Sequence, residues 1–330
     1  MNRCAIILPY YGKFPNYFQL FLNSCGANGD FDWLIFTDDR TSYNYPSNVH
    51  VNYETFADMQ ARVSNAFDFH PMIKRPYKLC DLRPMYGYLF EQYLTGYEFW
   101  GHCDCDLVFG RLSQFITDDL LKKYDKIFPV GHFALYRNNE ENNCRFMLDL
   151  DGKPIYREVL ESARGYTFDE SYLASNINRI YQTHGFPIYM RDHSGNTVAK
   201  SDTFRITRYD TELGTFLNEP AMRAIYVWDH GRITRSFMRL GTFMQQELMY
   251  LHFQRRDMRV TCSTHAERYQ IFPGSFQPMQ EEHVTKENFQ SIPWKNTYDI
   301  WQHRVNIGLG EYRFWKSRLI GVVNAHIGKR

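Results

Sequence analysis

The opening of the chain is what most restricts its fold. Cys4 to Leu8 form an apolar run stopped by Pro9-Tyr10-Tyr11-Gly12, and Trp33 to Thr37 form a second, stopped by Asp38-Asp39. Between them Phe18, Phe21, Leu22 and Cys25 recur at helical spacing and give way to Gly26 and Asn28-Gly29, residues that end helices. Strand, helix and strand in that order predict parallel neighbours joined by a right-handed crossover. The expected class is α/β: a Rossmann-like, mostly parallel mixed sheet flanked by helices.

Later segments extend this pattern. Residues 40–75 mix turn residues with short apolar pieces and give no ordered reading. From Pro76 to Gly96, Leu79, Leu82, Tyr86, Leu89, Phe90 and Tyr93 recur at steps of three and four, which predicts one face of a helix. Residues 127–136 supply further strand material, and 137–153 read as a polar excursion. Ile225 to Trp228, followed by Asp229-His230-Gly231-Arg232, predicts a hairpin. From about Pro273 the composition shifts toward polar runs with scattered tryptophans.

Residues 97–110 carry the most chemical information. The aromatic run through Trp100 predicts a buried strand, and Asp104 and Asp106 follow it at once. Carboxylates two apart on an extended segment share a side, and the carboxyl end of a strand is where open α/β sheets place ligands. Such a pair can hold a divalent cation through its oxygens, and the cation can grip a diphosphate. Asp30/Asp32 and Asp149/Asp151 have the same spacing. The former precedes Trp33 as a strand entry, and the latter runs into Gly152-Lys153-Pro154, a turn. Only the middle pair lies between two apolar runs, where unpaired charge would be costly.

A cation held by two carboxylates needs a further ligand. His252, in Glu247-Leu-Met-Tyr-Leu-His252-Phe-Gln-Arg255-Arg256, is the candidate, with Arg255 and Arg256 suited to phosphate oxygens. The plainer reading is an amphipathic segment with a half-buried histidine. His102 should face the opposite side of its strand. Tyr10, Gly12 and Lys13 after the first strand, and Thr37 and Asp38 after the second, open on the same sheet edge as Asp104, where a nucleoside would bind. Asp39 reads equally as a turn residue. Lys78 and Asp81 stand one helical turn apart, an exposed ion pair in the plain reading. In the sharper one, Lys78, Asp81 and Arg83 face the sugar diphosphate, with Pro84 in a first turn. Asp169 and Glu170 are either helix-start acids or the base that deprotonates an acceptor hydroxyl.

Composition narrows the classes. With 38 basic and 37 acidic residues, no broad polyanion-binding surface is implied. Seven cysteines without a CxxC pair argue against a disulfide framework and structural zinc, and point to a reduced, cytoplasmic protein. The N-terminal apolar run is too short for a signal peptide, and no stretch approaches a membrane span.

Taken together, Lys78-Leu-Cys-Asp81-Leu-Arg83-Pro-Met-Tyr86-Gly87, Phe99-Trp-Gly-His-Cys-Asp104-Cys-Asp106 and Tyr250-Leu-His252-Phe-Gln-Arg-Arg256 resemble a bacterial family of GT-A-type glycosyltransferases. That family is associated with capsule, O-antigen and related polysaccharide gene clusters. The likeness extends to the Pro9–Pro15 run and to Gly131-His132 through Arg137-Asn138. It covers roughly residues 3–260, leaving 261–330 as a C-terminal extension packed on the catalytic domain. The resemblance implies a GT-A fold, Mn²⁺ or Mg²⁺, and a UDP-sugar donor such as UDP-galactose, UDP-galactofuranose or UDP-glucose. It further implies Asp104, Asp106 and His252 as metal ligands, with Arg255 or Arg256 on the diphosphate. Some related families carry lysine where this chain has Arg255, which keeps the charge but alters the geometry.

The function expected is hexosyl transfer to a sugar hydroxyl of a growing surface polysaccharide, inversion being favoured with Asp169 or Glu170 as the base, whereas with retention the acid would instead position the acceptor. The alternatives are a metal-dependent nucleotidyltransferase or phosphohydrolase, and a non-catalytic carbohydrate-binding protein. Tyr312 to Ile320 mixes basic and aromatic residues. It is expected either to pack as a helix or to dock peripherally on an anionic inner-membrane surface near a lipid-linked acceptor. No nucleic-acid partner is expected.

Overall fold

The computed structural model describes residues 3–254 and 256–327, with side chains of the terminal helix described up to Tyr312. Its first layer is a seven-stranded sheet. The strands are β1 (Cys4–Tyr10), β2 (Phe31–Thr37), β3 (Val49–Tyr53), β4 (Phe99–Cys103), β6 (Lys126–Ile127), β7 (Phe133–Arg137) and β8 (Ile188–Tyr189), with β5 (Leu107–Phe109) set apart. They lie in the order β3-β2-β1-β4-β7-β6-β8. All pairings are parallel except those of β7, which runs against both β4 and β6. The expected β1–helix–β2 crossover is present, with α1 spanning Phe18–Gly26. The chain adds β2 and β3 on one side of β1 and β4 on the other, so a topological switch point falls between β1 and β4.

Alternation along β1 builds a core on each face. Cys4, Ile6 and Leu8 pack with Phe18, Phe21 and Leu22 of α1. Ala5 and Ile7 face the other way, against Leu79, Leu82, Tyr86 and Phe90, as a period of two requires. The segment from Pro76 buries the apolar residues expected of it apart from the half-buried Tyr93, but it is not one helix. A 3₁₀ stretch, Pro76–Met85, leads into a single α-turn, Tyr86–Leu89. Pro84 lies inside the stretch and removes an N–H from any continuous α-ladder.

A second, six-stranded sheet runs β14-β13-β12-β17-β18-β16. Together with the smaller sheets it is built from β9 (Gly195–Asn196), β10 (Thr207–Asp210), β11 (Thr215–Asn218), β12 (Ala224–Asp229), β13 (Arg232–Arg239), β14 (Thr242–Leu248), β15 (Tyr250–His252), β16 (Arg259–Val260), β17 (Arg268–Phe272) and β18 (Ser275–Pro278). The hairpin expected at residues 229–232 joins β12 to β13, with His230 at φ 46° and Gly231 at φ 84°, the pair of left-handed positions that a tight hairpin turn needs. The division expected at residue 260 does not separate two bodies. β17 and β18 lie beyond it yet pair with β12 and β16 before it, because the sheet needs partners on both sides of that point. Gly274, beside the composition shift at Pro273, is the turn between β17 and β18. The architecture is mixed α/β and rich in strands.

The helix Thr297–Ile327 closes the chain. Its first turn is fastened by Asp299, which accepts from Arg259 Nη2 at 2.9 Å and from Ser275 Oγ at 2.7 Å. The Tyr312–Ile320 run lies in this helix, and its side chains beyond Tyr312 fall outside the described residues. Among the described residues no helix is long and apolar enough to cross a membrane.

Candidate metal centre

The site forms where β4 ends. Cys103 and Cys105 turn into the core, with free thiols that burial keeps protonated, so Asp104 and Asp106 emerge on the opposite side. The chain then enters β5, which pairs antiparallel with β15 and sets Leu107 opposite His252. That long-range pairing brings the imidazole to the acids. His252 Nε2 lies 3.2 Å from Asp106 Oδ1 and 3.5 Å from Asp104 Oδ2. One ligand atom from each of the three residues falls within 4.8 Å of the others.

Hydrogen bonds around His252 prepare it to bind metal. On its far side Nδ1 stands 3.0 Å from Asn196 Oδ1, and Gln254 Nε2 donates to the same oxygen at 2.7 Å. An amide oxygen only accepts, so Nδ1 carries the proton and Nε2 presents a lone pair to the carboxylates. A lone pair facing two carboxylates calls for a proton or a cation between them. Burial opposes charge on the ring, yet Asp106 and Asp104 prevail and raise its pKa. Two oxygen donors and an imidazole with a fixed tautomer fit a divalent cation. Asp104, Asp106 and His252 could therefore hold a metal ion, and they line a cavity of about 700 Å³.

Arg83 stands beside the trio. It is paired with Asp104 through Nη2, while Nη1 donates to Asp169 Oδ2 at 2.7 Å and to the Gly131 carbonyl at 2.9 Å. Asp169 is buried, which pushes its carboxyl up to about 7 against the pull of Arg83. Glu170 also lines the cavity, and its Oε2 faces the Gly131 N–H at 3.4 Å. Neither acid starts a helix. The nearest one, Ile177–Thr183, is capped by Asn176.

The remaining expected residues divide. Tyr10, Lys13, Asp81, Arg83 and Arg256 line the cavity, whereas Gly12, Thr37, Asp38 and Lys78 do not. Asp38 accepts from the Gly12 N–H at 2.7 Å, which ties the two strand tips together, and Thr37 accepts from the Asp39 N–H at 3.1 Å within its own turn. Lys13 pairs with Asp39 at 2.6 Å. Lys78 and Asp81 are buried rather than an exposed pair. The Lys78 ammonium donates to Asp81 at 2.9 Å and to the Arg164 carbonyl at 2.6 Å. Asp81 also accepts from the Tyr166 and Phe168 N–H groups. The reason is the inward turn of the 3₁₀ stretch, which carries both residues to the loop that leads to Asp169. Arg256 Nη2 donates to the Ser201 carbonyl at 2.8 Å, while Nε and Nη1 have no partner among the described residues. Arg255 lies outside the described residues. His102 is buried in β4, away from the cavity lining, as its strand position predicts.

The sequence alone assigns no role to Asn196, His132 or Tyr250. Asn196 enters through the parallel pairing of β9 with β15, which no local pattern announces. Gly131-His132 does stand in a conspicuous run, where a function could be sought. No curated protein matches the chain. Residues 6–280 match a family of unknown function, DUF6625, and the chain belongs to that family.

Proposed function

We propose that this protein is a metal-dependent glycosyltransferase of the GT-A type. It transfers a hexosyl group from a nucleotide diphosphate sugar, with UDP as the nucleotide, to a sugar hydroxyl of a bacterial surface polysaccharide. The observation that carries the reading is the Asp104–Asp106–His252 trio at a strand's carboxyl end, beside a switch point and in a cavity large enough for such a donor. Mn²⁺ or Mg²⁺ would be held by these three residues and would supply Lewis-acid stabilisation of the leaving diphosphate. Arg256 offers two N–H groups without acceptors to phosphate oxygens. Glu170 is the better placed of the two acids to take the acceptor's proton, since Asp169 is committed to Arg83. Catalysis would proceed on the cytoplasmic face, where nucleotide sugars are made.

The test is a melting-temperature screen of nucleotide sugars with and without Mn²⁺, followed by product analysis. Ligands that bind the native state raise its melting point by mass action. One UDP-sugar should do so only with Mn²⁺ and should yield free UDP in the presence of a glycan acceptor. Equal shifts with and without the ion, or none for any nucleotide sugar, would sink the proposal.

A further inference from the structure

Two histidine rings face each other in the cavity wall, and their partners select opposite tautomers. The His132 and His252 centroids are 4.5 Å apart with planes at 37°. His252 keeps its proton on Nδ1, toward Asn196. His132 is only 4% exposed, and its Nδ1 lies 2.7 Å from the Tyr250 hydroxyl. Tyr250 is wholly buried, and its phenol hydroxyl carries a hydrogen to donate. Among the described residues, His132 Nδ1 is the hydrogen-bond partner of that hydroxyl at 2.7 Å, and the neighbouring Ser194 Oγ makes no hydrogen bond. The phenol therefore donates, Nδ1 accepts, and a neutral His132 carries its proton on Nε2. That Nε2 is buried without a partner among the described residues.

A buried N–H without an acceptor is expensive, and this one is not alone. Arg256 is 3% exposed, lines the same cavity, and has both Nε and Nη1 unpartnered. The unmet groups are all donors, and the ligand that satisfies several donors and brings none is a phosphate.

We propose that His132 is a ligand-binding residue whose Nε2–H donates to a phosphate oxygen held at the metal centre, with Tyr250 fixing the tautomer. This rests on the metal-dependent reading above and adds to it a neutral donor that the motif residues do not include. Its ring stands beside that of His252, so His132 would adjoin a ligand held at an ion bound there.

The test uses ¹⁵N-labelled full-length protein, Mn²⁺ and inorganic pyrophosphate. Long-range ¹H–¹⁵N spectra of the metal-free protein should show His132 in the Nε2–H form, with His252 protonated on Nδ1 and, where no cation relieves its two carboxylates, on Nε2 as well. Calorimetry should then give a Mn²⁺ affinity for His132→Phe within about twofold of the parent, since the ring packing is kept. Pyrophosphate affinity on the Mn²⁺-loaded variant should fall at least about tenfold, as for the loss of a hydrogen bond to a charged group. Tyr250→Phe, which keeps every carbon atom, should weaken pyrophosphate in the same direction and release the tautomer. An Nδ1–H form at His132, equal pyrophosphate affinity in parent and His132→Phe, or no pyrophosphate binding by Mn²⁺-loaded parent overturns this proposal alone. Failure of Mn²⁺ to bind the parent appears in the first titration and removes the metal reading with it.

Discussion

Asp106 and Asp104 crowd a single imidazole lone pair, an arrangement that a cation between them would relieve. Asp106→Asn should reduce Mn²⁺ affinity at least about tenfold by calorimetry, because an amide is a weaker ligand than a carboxylate. The same variant should melt within a few degrees of the parent without metal, since removing one of two neighbouring acids also relieves repulsion. A loss of folding instead would mean that Asp106 serves the fold. Gly131 is the other sensitive position. A Cβ there would stand 2.4 Å from Asp169 Oδ2, closer than contact permits, and Asp169 is tied to Arg83. Gly131→Ala should destabilise by about 1–3 kcal/mol in urea, as overpacking does, and should weaken metal-dependent nucleotide binding by displacing Arg83 from Asp104.

At the scale of elements, the Pro76–Met85 stretch acts as a clamp on the loop that delivers Asp169 and Glu170. Asp81 accepts from Tyr166 and Phe168 on either side of Thr167, whose φ of 50° is a left-handed conformation unusual for a β-branched residue. Asp81→Ala strands the Lys78 ammonium in a buried site, a change that costs about 3–5 kcal/mol. Hydrogen exchange should locate the effect: the Tyr166 and Phe168 amides should quicken before those of β1. Uniform acceleration would assign Asp81 to the global core. This element also shows why the sequence was only partly legible. Steps of three and four identified Leu79, Leu82 and Tyr86 as core, since apolar spacing reports which side chains are buried. The same spacing put Lys78 and Asp81 on a solvent face, because it assumes α-geometry that the 3₁₀ stretch abandons. Asp104, Asp106 and His252 were legible because chain-local alternation and a ligand-type residue suffice to nominate them. Asn196 was not, since its role exists only through the pairing of β9 with β15.

Across the whole molecule, the most deeply buried charge outside the site among the described residues is Lys126. It is fully buried in the main sheet, donates to the Phe128 carbonyl at 2.6 Å and lies 5.1 Å from the Tyr136 ring centroid. Among the described residues it has no carboxylate at ion-pair distance. Burial pushes its pKa down from 10.5 to about 7, with Asp169 opposing. Between those values the unfolded chain binds a proton that the folded one refuses, so folding is penalised increasingly as pH falls from 10.5 to about 7. A tenfold difference in proton affinity between the folded and unfolded chains is worth about 1.4 kcal/mol. Lys126→Met removes that penalty but gives up the bond to Phe128, a residue held at φ 75°, worth about 1 kcal/mol. The variant should therefore exceed the parent by about 3 kcal/mol in urea unfolding near neutral pH, and the advantage should reverse near pH 10.5. The crossing is the diagnostic feature, because a packing change alone would move both ends of the pH range equally. A variant less stable than the parent at both ends would mean that the ammonium is held in place by Asp169 and Tyr136, and that the fold carries this charge as a partner of the acid loop rather than as a burden.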